Sequence, residues 1–301
     1  MKRKINSLLR SEQGNIMVVF AFSMVFFLGL VGLVVDMGLV YKEKSDLKKA
    51  ATTAVLSGAQ ELTNGDAARV QAVVNKVLAS YQAQSSLNSL QTDLNQQVKV
   101  ILKKQVPLRF AKIFGLNSMT VQAQSTAKVF PISGLYGATP LGIPESTPIT
   151  YGQTVALKVG AGDANTGSFG ILALEGKGAS TYEETLKVGA KLQVSVGDII
   201  GVQTGNISGA TQNAVNYRIS QCPNPSGDWT IRECARIITV IVYKTYSSSQ
   251  IKVTGFAYFY IQQQMSNTDT TIMGTFIKRV DTGTYGPGSL DRGAYMARLT
   301  E

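Results

Sequence analysis

Histidine is missing from all 301 residues, cysteine occurs twice and tryptophan once. Without imidazole, no Ser-His or Cys-His catalytic pair and no His-ligated metal site can be built. A hydrolase would then need Ser or Cys with Lys as its base. Cys222, in a proline-rich loop, has no activating group beside it in the sequence. The glycine-rich run through Gly160, Gly162, Gly167, Gly170, Gly176 and Gly178 lacks the Gly-Lys-Ser/Thr ending and the following helix of a phosphate loop, and tight hairpins account for it. The one uncharged block that is also almost wholly apolar runs from Asn15 to Val35.

That block is the first thing the sequence does contain. As a helix its 21 residues span roughly 31 Å, the thickness of a bilayer hydrocarbon core. A core helix of a soluble protein seldom runs so far without charge. A secretory signal peptide has a shorter apolar region and a small-residue cleavage site, whereas this segment runs on into Asp36, Met37 and Gly38. A retained transmembrane helix is the expectation. Lys2, Arg3, Lys4 and Arg10 precede the block against Glu12 alone, which predicts a cytoplasmic N-terminus and a C-terminal domain outside the cytoplasmic (inner) membrane. The formal net charge of +10 does not make a nucleic-acid footprint: residues 1–14 carry +3, residues 15–130 carry +6 and residues 131–301 carry +1. The excess lies in the topology signal and the following region, where Lys103, Lys104, Arg109 and Lys112 suit anionic headgroups or wall polymers, or are ordinary solvated lysines and arginines.

The helical pattern continues past the block to Leu62, with Leu47, Ala50, Ala51, Ala54, Val55, Gly58 and Ala59 on neighbouring faces. The small residues Ala51, Val55 and Gly58 permit close helix packing, either on the next helix of the same chain or on a partner. Asn64 and Gly65 turn the chain, Asp66 caps, and Val70, Val74, Leu78 and Tyr81 define a second helix, giving a hairpin. Val98, Val100 and Leu102, then Met119, Val121 and Ala123, alternate as two strands around a short turn that starts at Pro107 and ends at Gly115. Residues 131–150 hold the densest set of prolines and glycines and read as a linker. Residues 151–280 read as short strands between glycine turns, an antiparallel sandwich or barrel without helices, and residues 281–301 as a loose tail. The fold class expected is α+β, with 1–14 a basic tail, 15–35 the span and 36–130 a membrane-proximal unit. Cys222 and Cys234 flank a turn-rich loop in which a disulfide is sterically plausible and would persist outside the cytoplasm; two unpaired thiols are the alternative.

Residues 10–62 resemble the N-terminal region of TadG-like and TadE-like pilus-assembly proteins. The likeness lies in the basic stretch, Gly14 before the apolar block, the exit Gly32-Leu33-Val34-Val35-Asp36, Tyr41, and the Ala-rich helix ending Gly58-Ala59-Gln60-Glu61-Leu62. The segment Pro107 to Val129 is similar to the strand that closes this family's membrane-proximal unit. Residues 151–280 resemble the short β-rich domain of some relatives. The resemblance implies a structural component of the Flp (Tad) pilus machinery or a related secretion apparatus. Some relatives carry a von Willebrand-type domain with a metal-ion adhesion site; no Asp-x-Ser-x-Ser triplet supplies its ligands here. Related minor pilins are processed after a Gly that has a Glu five residues on, and Gly14 matches that Gly while Val19 stands where the Glu would be.

Two readings follow. In the first the chain is a membrane-anchored, non-catalytic assembly component whose partners are the lipid bilayer and other pilus or secretion subunits, or itself. In the second it is an envelope module that binds a wall polymer or secreted ligand through its β-domain. Neither needs a cofactor, a metal or a nucleic acid. The second would use Trp229, Tyr243, Tyr258, Phe259 and Tyr260 as a binding face, although strand aromatics are usually core or cross-strand partners. Glu183 with Glu184, or Asp198 with Glu175, are the residue type that glycoside hydrolysis uses, with exposed turn carboxylates the plainer account.

Overall fold

An apolar block passing without any proline or helix-ending glycine signal into an Ala-rich amphipathic stretch forms one unbroken helix, α1 (Glu12–Ala59), 48 residues long in the computed structural model. The structure describes residues 12–159, 168–203, 207–222, 228–266 and 271–300. Among them α1 is the one helix long and apolar enough to cross a membrane. Its first half is exposed to the surroundings, while Leu47, Ala50, Ala51, Ala54, Val55 and Ala59 are buried in the second. Gly65, in the left-handed region at φ 72°, reverses the chain. Helix α2 (Ala67–Ser80) follows, capped by Asp66, whose side chain accepts from the Ala68 N–H at 2.8 Å.

These two helices cover a five-stranded sheet in the order β1-β2-β3-β14-β13. Strands β1 (Leu87–Asp93), β2 (Gln97–Pro107) and β3 (Ser118–Pro131) are antiparallel neighbours in sequence. Val98, Val100 and Leu102 alternate inward from β2 onto α1 and α2. The other two strands come from the far end of the chain, β13 (Arg279–Val280) and β14 (Ala294–Leu299), the latter antiparallel to β3 from Ala127 to Pro131. Residues 281–301, expected as a loose tail, therefore hold a ladder strand. Its alternating side chains are too few, and too mixed in polarity, to stand out from the glycines before it.

Everything between β3 and β13 is inserted into this unit. Besides the short pair β4 (Gly134–Leu135) and β8 (Val194–Ser195), six strands form a mixed barrel: β5 (Ala138–Pro144), β6 (Thr154–Val159), β7 (Ser168–Ile171), β10 (Ile237–Ser247), β11 (Gln250–Ile261) and β12 (Thr271–Ile277). The hydrogen-bonded order β10-β5-β7-β6-β12-β11 closes because β11 also pairs with β10, and β9 (Ile199–Gly201) adds to β11. Both faces of β10 and β11 are buried: Val240, Val242 and Phe259 belong to one core, Ile241, Tyr258 and Tyr260 to another.

Two expectations are corrected here. The proline-rich stretch 131–150 is no linker, since β5 pairs parallel with β10 and antiparallel with β7. The register slips between Thr239↔Ala138 and Ile241↔Gly142, so Pro140 falls in a bulge, where its missing N–H costs no ladder bond. The region also contains helices, α3 (Ala179–Val188) and α4 (Ser208–Gln221), and α3 does follow the glycine run, although without a Lys-Ser/Thr at its start. Gly160, Gly162 and Gly167 lie outside the described residues. The α+β class stands.

A disulfide joins Cys222, at the end of α4, to Cys234 ahead of β10, both sulfurs within a buried core. Closing a loop of this size adds about 3 kcal/mol in the chain-entropy account. Alkylation of the unreduced protein followed by mass measurement is expected to find neither thiol modified, and two labelled cysteines would contradict the pairing.

Candidate membrane-facing site

The clearest built site lies where the apolar part of α1 ends. Gly32 and Asp36 are four residues apart and share one face of the helix. Against that face lies the tip of the β2–β3 hairpin, residues 108–117, closed by the Leu108 N–H donating to the Asn117 carbonyl at 3.0 Å. Asp36 is 1% exposed and accepts three backbone hydrogen bonds, from the N–H groups of Arg109 at 2.8 Å, Phe110 at 3.0 Å and Ala111 at 2.7 Å. These donors open a single 3-10 turn, Ala111–Phe114, whose first N–H groups have no partner within it. Burial pushes the Asp36 carboxyl pKa upward; the three donors and the nearby Arg109 charge outweigh it and hold the group below the ordinary aspartate value. The carboxylate is thus charged, covered and satisfied. A Cβ added at Gly32 would stand 2.7 Å from Phe110, so the glycine is what lets the ring lie on the helix. Lys104, on the same hairpin, pairs with Glu43 of α1 at 2.7 Å.

Residues 14–61 match the family model for putative Flp pilus-assembly TadE/G-like proteins. The N-terminal region is TadE/G-like. No curated protein matches the chain, and no solved structure does. The matched TadE/G-like segment is, almost to the residue, helix α1 together with the clamp residue Asp36.

Within the TadE/G-like helix, Ala51 and Val55 are fully buried, and a Cβ on Gly58 would meet Val74 at 2.8 Å, Val70 at 3.4 Å and Val98 at 3.8 Å. Of the two alternatives for the small-residue face, packing within the same chain is the one found: α2 and β2 fill it, and Val70, Val74 and Val98 occupy the groove beside Gly58. Gly14 lies in the first turn of α1. Asp36 went unread as a site residue from sequence, although an acidic side chain ending a charge-free block, four residues after a glycine, is the signal it leaves.

Beyond the TadE/G-like region the remaining candidates are held in local structure. Glu183 pairs with Lys187 at 2.6 Å. Glu175 accepts from the Thr185 hydroxyl at 2.9 Å and the Lys191 N–H at 2.7 Å, and Asp198 accepts from the Ser195 N–H at 2.8 Å. Tyr243, Tyr258, Phe259 and Tyr260 are buried, and Trp229, 39% exposed, packs on the Tyr260 ring with centroids 6.3 Å apart. The four buried aromatics are core partners, and Trp229 covers one of them from the surface. A cleft of about 250 Å³ between the two units is lined by Arg232 and Arg279. Both are engaged, Arg279 with Asp281 at 2.8 Å and Arg232 with the Gln60 carbonyl at 2.7 Å, so the cleft works as a seam. Among the described residues no group of three or more His, Cys, Asp or Glu is placed to hold a metal ion.

Proposed function

We propose that the chain is a single-pass, non-catalytic component of Flp/Tad-type pilus assembly or a related secretion apparatus, with its N-terminus in the cytoplasm and its barrel outside. The observation that carries this reading is the coincidence of the TadE/G-like match at 14–61 with a helix that is apolar enough for a bilayer and then becomes the core of a folded unit. The basic flank Lys2, Arg3, Lys4 and Arg10 supports the orientation. The barrel supplies a broad folded surface for other envelope subunits.

The test has two arms. Protease added to spheroplasts is expected to remove the barrel while leaving the span protected, and digestion seen only after lysis would overturn the topology. Solubilised membranes are expected to yield other pilus or secretion subunits with the tagged chain, and cells lacking the chain are expected to lose surface pili. Normal pili together with an absence of such partners would overturn the assembly role and favour an envelope binding module.

A further inference from the structure

We infer that the β2–β3 hairpin tip is a second membrane contact, seated in the outer leaflet beside α1 with Ile113, Phe114 and Leu116 in the acyl boundary and Arg109 and Lys112 at anionic headgroups. This rests on the reading above that residues 15–35 span the bilayer.

Height is the first argument. Phe110 lies on Gly32, three residues before the last residue of the uncharged block. At about 1.5 Å per residue that contact sits roughly 4.5 Å inside the apolar boundary, close to the 5–10 Å depth of interfacial elements. The tip cannot drift from this level, because Asp36 holds its three consecutive N–H groups. The tip is therefore placed in the leaflet by the same helix that crosses it.

Surface chemistry is the second. Ile113, Phe114 and Leu116 are 82%, 74% and 60% exposed, and nothing among the described residues covers them. Elsewhere beyond the span, the exposed large apolar residues are scattered and many are tyrosines, which tolerate water. Here they fall within four positions and are continuous, through Phe110, with the lipid-facing surface of α1. The charge pattern agrees: no Asp or Glu occurs between Asp93 and Glu145, while Arg109 and Lys112 are exposed at the tip. Cationic side chains flanking an apolar cluster are what an anionic bilayer surface attracts.

The single tryptophan makes the test direct. The full-length chain is reconstituted in phosphatidylcholine–phosphatidylglycerol bilayers whose acyl chains carry bromine at a shallow or a deep carbon, which quenches nearby indoles. The wild-type chain, with only Trp229 in the barrel, supplies the baseline and is expected to be unaffected. Phe114→Trp and Ile113→Trp, both at exposed positions, are expected to add emission that shallow bromine quenches more than deep bromine. Phe27→Trp, inside the span, should be quenched at depth. Quenching of Phe27→Trp without any effect on the two tip variants would overturn the second contact and leave the span intact. Tip emission that is blue-shifted yet insensitive to bromine would place protein there and would equally overturn it. An unquenched Phe27→Trp would overturn the spanning reading, and this inference with it.

Discussion

Removing residues 294–301 is expected to unfold the five-stranded sheet packed on α1 and α2, although the deletion touches only eight positions. Strand β14 pairs with β3 over five registers, from Tyr295↔Pro131 to Leu299↔Ala127, and its Ala294 and Tyr295 are buried. A net ~1 kcal/mol per lost ladder bond and about 1.5–3 kcal/mol for a large buried side chain add to several kcal/mol. That is a large fraction of the 5–15 kcal/mol typical of a whole domain. The loss also strands β13, which pairs only with β14, and so loosens the place where the barrel rejoins the sheet. Hydrogen exchange read peptide by peptide is expected to show residues 118–131 losing protection in the truncated protein. Native protection of β3 after the deletion would mean that the C-terminal strand is dispensable.

The second large effect is expected at Gly58→Leu. Gly58 is the penultimate residue of α1, and replacing a helical glycine there gains at most about 1 kcal/mol in helix propensity. Against that, the very first added carbon would stand 2.8 Å from the Val74 Cγ2, inside van der Waals contact, with Val70 behind it at 3.4 Å. Overpacking costs about 1–3 kcal/mol for added methylenes, and a leucine brings more atoms than the site can shed, so the clash wins. Urea unfolding is expected to shift to lower denaturant by that amount, with exchange rising first in α2 and β2. Unchanged stability combined with loss of a co-purifying subunit would instead return the small-residue face to a partner.

How much of this is legible in the sequence depends on how openly each element wears its pattern. The uncharged block, the Asp66 cap, the Gly65 turn and the alternation of Val98, Val100 and Leu102 each follow from one local rule, and all of them are found. Helix α4 was missed because its buried stripe runs Thr211, Ala214, Val215, Arg218, Ile219: the spacing is helical, but two of the five members are polar. Arg218 can sit there because its Nη1 donates to the Ala235 carbonyl at 2.8 Å, a long-range partner that no local window contains. Burial still depresses its pKa to about 10, high enough to leave it protonated at neutral pH. Strand β5 was hidden by its prolines, which a bulge absorbs, and β14 by its brevity. Asp36 needed the hairpin tip, 73 to 75 positions away in sequence, before its role was visible.

The unbroken course of α1 has a mechanical consequence. Residues 36–59 are at once the continuation of the apolar rod and the spine of the folded unit, so no hinge separates the apolar half of α1 from the head. Twenty-four helical residues make a lever arm of roughly 36 Å. A tilt of about 20°, ordinary for a membrane helix, then sweeps Ala59 sideways by roughly 12 Å and carries the barrel seam at Gln60 and Arg232 with it. In the proposed arrangement, a neighbour that leans on the apolar half of α1 steers the barrel at its other end, with torque passing through a single stiff element.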